Sequence, residues 1–165
     1  MNPEHEAKQI LSTVWAPGKD PADIPLPVDP FQLASRLGLK AYAAGLSEGV
    51  SGMLVKRPGE DAEIYVHASD SPNRQRFTCA HELGHYVKRS ATGDSEWEYV
   101  EHRDLLTSQG RDPEEIFANQ FAASLLMPRE TVEELHAKLG STALAYEFGV
   151  SADAMHYRLT NLGLR

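Results

Sequence analysis

The stretch from Ser71 to Arg89 constrains this chain more than any other. Ser71 can cap a helix and Pro72 suits the first helical position, while Phe77, Ala80, Gly84 and Val87 recur at helical spacing, so one long helix is predicted. Inside it runs His81-Glu82-Leu83-Gly84-His85. At about 100° per residue, His81 and His85 fall about 40° apart on one face, and both imidazoles can reach a common point. Zinc suits that arrangement. Glu82, about 60° to the other side of His85, can touch a water at the metal without ligating it, which makes it the candidate general base. The same spacing arises by chance on solvated helix faces, but here it falls inside a predicted helix, as the chemistry demands. Gly84 costs a helix roughly 1 kcal/mol relative to alanine and admits a close neighbour, as a ligand site or simple helix packing would require. Cys79, about 200° around the helix from His81, is expected in the core.

A catalytic zinc usually keeps three protein ligands and one open position, so a second element must bring another ligand. Asp112-Pro113 opens a further helix that continues through Phe117, Phe121 and Leu125 and ends where Pro128 follows Met127. Glu115 on this helix is the leading candidate, with Asn119 four residues on to orient a ligand histidine from behind. Asp112-Pro113-Glu114-Glu115 is also a capping-box pattern, in which Glu115 would bond back to the Asp112 backbone. Glu114, about 100° away, is the fallback ligand, and His102 is a weaker rival in an irregular segment.

The rest of the chain reads as a mostly helical α+β fold. A helix over 3–15 precedes a proline-rich wrap, and Asp29-Pro30 starts a helix that stops at Gly38. Leu39–Ala43, Gly52–Lys56 and Glu63–Val66 have strand-like content, with a hairpin connection at 57–61, which predicts a small three-stranded antiparallel sheet. Residues 90–111 look irregular and acidic, with Trp97, Tyr99 and His102 interleaved as a candidate cleft wall. Short helices close the chain.

With 165 residues, the chain is expected to form one domain, 1–165. Within it, 1–30 is a helix and wrap, 31–138 a metal-bearing core, and 139–165 a C-terminal extension. The absence of a long apolar run or an apolar leader argues against a membrane span and points to the cytoplasm, as does the single cysteine, which cannot form an intrachain disulfide. Sixteen basic against 24 acidic residues give a net charge of −8, the wrong sign for general attraction to phosphate. Thr142–Phe148, the turn Gly149-Val150 and a helix capped by Ser151 nevertheless resemble a helix-turn-helix unit, so a DNA- or protein-binding regulatory module using 142–161 is the competing class of function, with any zinc then structural or latent. The apolar residues Leu144, Phe148, Val150, Met155 and Leu159 suffice to explain that unit as core.

The run Arg74-Gln75-Arg76-Phe77-Thr78-Cys79-Ala80-His81-Glu82-Leu83-Gly84-His85-Tyr86 resembles the signature of the ImmA/IrrE metallo-endopeptidases. Glu115-Ile116-Phe117-Ala118-Asn119-Gln120-Phe121-Ala122-Ala123-Ser124-Leu125-Leu126-Met127-Pro128 looks like that family's glutamate-bearing helix. The resemblance covers roughly Val50 to Arg165. It implies a zincin-like fold, Glu115 as third ligand, and cleavage of an XRE-type helix-turn-helix repressor, since several relatives are encoded beside such regulators in mobile elements, stress circuits or toxin–antitoxin pairs. Two residues depart from the pattern: Phe117 stands where relatives often carry an acid, and His67 where a small polar residue is expected. In the expected reaction zinc polarises a peptide carbonyl and Glu82 takes a proton from water and hands it to the leaving amine. Tyr86, Tyr99, His102 or Arg103 is the candidate oxyanion partner, and the sequence does not choose among them.

Overall fold

Asn2, Asp29, Ser71, Asp112 and Ser151 each stand just before a helix and accept a hydrogen bond from a backbone N–H of its first turn, and four of those helices begin with proline. Local chemistry therefore sets most helix starts. The computed structural model describes residues 1–93 and 112–165, with the backbone of 97–102 between them. Its elements are α1 (Pro3–Ile10), which runs into a π-helical turn at Leu11–Trp15, α2 (Pro30–Arg36), β1 (Lys40–Ala44), β2 (Val50–Lys56), β3 (Glu63–His67), α3 (Pro72–Ser90), β4 (Trp97–His102), α4 (Pro113–Leu126), α5 (Arg129–His136), α6 (Ser141–Phe148) and α7 (Ala152–Leu162).

The fold is α+β, but its sheet is neither three-stranded nor purely antiparallel. The order is β1-β3-β2-β4, with β2 antiparallel to both neighbours and β1 parallel to β3, pairing Lys40 with Glu63 and Ala44 with His67. The expected hairpin joins β2 to β3. The link from β1 to β2 skips a strand, which strand content cannot reveal. The fourth strand lies in the segment read as irregular. Trp97-Glu98-Tyr99 alternates, but Val100 breaks the period and the flanking acidic residues hid so short a signal.

One apolar core runs from Ala7 and Leu11 of the N-terminal segment through Leu54, Ile64 and Val66 of the sheet to Phe148 and Met155 near the C-terminus. The N-terminal third thus completes the core. Arg76 ties three segments together: its Nε donates to the Gly149 carbonyl at 3.0 Å and its Nη2 to Val28 at 2.6 Å. Gly149 ends α6 at φ +62°, a conformation that favours glycine, and a Cβ there would meet the Arg76 Nε at 3.1 Å.

α3 lies between the sheet and α4, and residues 78–85 are buried without a break. The approach of α4 depends on Gly84, where a Cβ would lie 3.0 Å from the Ala118 Cα and 3.1 Å from Phe121. Close packing at this glycine brings the middle of α3 against the first turns of α4.

Candidate metal centre

α3 supplies His81 and His85 one turn apart, and α4 supplies Glu115 from its first turn. All three are at least 96% buried. The two Nε2 atoms lie 3.1 Å apart, and Glu115 places Oε2 3.2 Å from Nε2 of His81 and Oε1 3.1 Å from Nε2 of His85. Among the described residues, these three form the group whose potential ligand atoms converge, all within 4.8 Å of one another. Burial alone would raise the Glu115 carboxyl pKa, but the adjoining imidazoles outweigh it and hold the group down to about 2. It is ionised at neutral pH.

The back sides of the imidazoles decide what the centre can hold. His81 Nδ1 meets Oδ1 of Asn119 at 2.9 Å, the arrangement expected for a residue that orients a ligand. His85 Nδ1 meets Oε1 of Glu114 at 3.3 Å, and Arg89 Nε donates to the same oxygen at 2.8 Å. An acceptor behind each ring suits the tautomer protonated at Nδ1, the one in which each Nε2 would face a metal. Two imidazole nitrogens and an ionised carboxylate converge on one point, where a divalent cation would take the place of the protons they share, so the donor set fits a metal.

The capping-box alternative is not what forms. Asp112 accepts from the N–H of Glu114 at 2.9 Å, and the Glu115 carboxylate turns to the histidines instead. Glu114, the fallback ligand, stands behind His85 rather than beside Glu115.

Glu82 is fully buried, and its Oε1 would lie 3.1 Å from a Cβ built on Gly52. That Cβ would also meet Thr78 Cγ2 at 2.6 Å, so β2 passes so close under α3 that only glycine fits. Gly52 was legible only as a glycine inside a strand pattern. A cleft of about 670 Å³ opens beside the centre at His81 and Asn119, walled by Phe77, Ala123, Met127 and Tyr157. Arg74 lies at the cleft too, near Asp70 (3.5 Å) and the Ser51 hydroxyl (3.4 Å).

Of the oxyanion candidates, Tyr86 is half-buried against the core. Tyr99 and His102 belong to β4, described by its backbone alone, and Arg103 lies outside the described residues. The two departures from the family pattern are both accommodated. Phe117 is buried, stacks on Phe121 with centroids 6.3 Å apart and has Lys88 over its ring, while His67 accepts from the Ser69 N–H in the turn after β3. Cys79 is fully buried, and burial pushes its thiol pKa up, consistent with a core role.

The peptidase M78 model, described as the IrrE N-terminal-like domain, matches residues 34–160. The chain belongs to the ImmA/IrrE family of metallopeptidases. It is similar to the radiation response metalloprotease IrrE of Deinococcus radiodurans, 32% identical over 102 residues that make up 59% of this chain and 30% of that protein. The IrrE of Deinococcus deserti is 29% identical over 163 residues, 85% of this chain and 57% of the relative. The chain thus spans between about a third and somewhat over half the length of these relatives. A solved Mycobacterium tuberculosis transcriptional regulator shares the fold at a TM-score of 0.58 and 16% identity, covering 96% of this chain and 46% of that one. Among the described residues, no helix of this family member is long and apolar enough to cross a membrane.

Proposed function

We propose that the chain is a zinc-dependent endopeptidase of zincin-like fold, with His81, His85 and Glu115 as metal ligands and Glu82 as general base. The observation that carries this reading is the convergence of two outward-anchored imidazoles and an ionised carboxylate beside buried Glu82, at the edge of an open cleft. Zinc held there would supply a Lewis acid for the scissile carbonyl and acidify the attacking water. Glu82 accepts the proton of that water and returns it to the leaving amine. Asn119 and Glu114 fix the two imidazoles, and the cleft holds the peptide along α4 and α7.

The substrate we propose is a helix-turn-helix transcriptional repressor encoded near this chain and met in the cytoplasm. Support comes from the family, and a solved protein of this fold itself bears the name transcriptional regulator. The competing use of α6 and α7 on DNA has little charge to draw on. The one arginine of α7, Arg158, is buried and donates to the Met127 carbonyl at 2.9 Å, while Asp153 and Tyr157 are exposed.

Incubation of the zinc-loaded protein with the neighbouring repressor should give a defined cut. Glu82→Gln should slow it by about 10²- to 10⁴-fold while metal content stays at one zinc per chain. Cleavage by the variant at the wild-type rate would exclude Glu82 as the base.

A further inference from the structure

A smaller cavity, about 230 Å³, lies where α1 and the turn after it pack against α4, α5 and α7. Its N-terminal wall, from Glu4 to Ile24, falls outside the stretch 34–160 that carries the family match. Leu11, Ala16, Pro21, Ile24 and Pro128 make much of the lining apolar. Lys8, Lys19, Arg129 and Arg158 share the lining with two carboxylates, Glu4 and Glu130, and Glu133 reaches Arg129 at 3.8 Å from outside it, so the lining is locally cationic in a chain of net charge −8.

The pairing inside this cavity is uneven. Lys8 takes Glu130. Arg129 holds both oxygens of Glu4, at 3.1 and 3.3 Å, and this same carboxylate reaches Arg158 at 3.4 Å. One anion therefore serves two guanidiniums. Arg158 is only 7% exposed, and burial draws its pKa down. A desolvated cation with a shared counter-ion is costly, and an arriving anion would relieve it. Ser124, 5% exposed, adds a hydroxyl to the same wall.

We propose that this cavity binds a small organic carboxylate with an apolar tail. Its carboxylate lies against Arg129 and Arg158, whose planar forks suit it, and its tail lies against Leu11, Ile24 and Pro128. Neither half of such a molecule suffices alone, because the charge offers attraction without burial and the tail offers burial without a counter-ion.

Calorimetric titration of the full chain with hexanoate, acetate and 1-hexanol separates these contributions. Hexanoate should bind saturably, one per chain, and at least about tenfold more tightly than either half-probe. Ile24→Trp, which fills the cavity, should abolish binding. Arg129→Ala, at a side chain 43% exposed, should weaken it about tenfold or more. Circular dichroism of both variants establishes that they remain folded. Absence of saturation in the wild type, equal binding of hexanol, or unchanged affinity in Arg129→Ala would each overturn the proposal. These readouts do not depend on peptidase activity.

Discussion

Two helix pairs in this molecule bury their side chains for different ends. α6 and α7 meet through Leu144, Phe148, Met155 and Leu159, which are apolar and interchangeable in kind. α3 and α4 instead bury His81, Glu82, His85 and Glu115 together, across a glycine that no larger residue can replace without displacing backbone. Buried ionisable groups destabilise unless partners satisfy them, so a helix pair that concentrates four of them is shaped by chemistry rather than by folding alone. Arg158 breaks the pattern in the C-terminal pair. It is the charge buried there, and it belongs to the cavity inferred above.

The contrast is broken most severely at Glu115. Glu115→Ala removes the anionic member of the proposed ligand set from between two imidazoles. Zinc affinity should fall by more than the roughly 10–100-fold that loss of an outer partner costs, as measured by competition with a chromogenic chelator. Stoichiometric tight zinc in this variant would show that the third ligand lies elsewhere. Asn119→Ala tests the next layer. It leaves all three proposed ligands but frees the His81 ring from its 2.9 Å anchor, and affinity should drop roughly 10–100-fold. An unchanged constant would make Asn119 a packing residue.

What could be read in the sequence followed from helical phase. His81, His85, Glu115 and Asn119 lie on two helices whose starts are marked by Ser71-Pro72 and Asp112-Pro113, so their facing sides could be computed from spacing alone. What could not be read depended on how the elements meet. Glu114 reaches His85 Nδ1 only because α4 crosses α3 at Gly84, and that offset leaves no mark in either helix. Gly52 matters because β2 runs beneath Glu82, and strand content does not say which helix covers a strand. The parallel pairing of β1 with β3 was missed for the same reason. Periodicity also foresaw one buried face on α3. In fact 78–85 are buried all round, because the sheet and α4 cover opposite sides.

The C-terminal pair supplies the opposite test. Leu144 is fully buried in α6 and is neither a member of the metal group nor a lining residue of the cleft. Leu144→Ala should cost about 2–5 kcal/mol of unfolding free energy, through lost transfer energy and the cavity left behind, as measured by denaturant titration. Its zinc affinity, measured under conditions where the variant stays folded, should match the wild type. The site is built from α3 and α4, and a cavity in α6 leaves their contact at Gly84 intact. A loss of affinity comparable to that of Asn119→Ala would mean that the two pairs form one cooperative unit. The buried polar residues of α3 and α4 would then depend on the C-terminal core for their geometry.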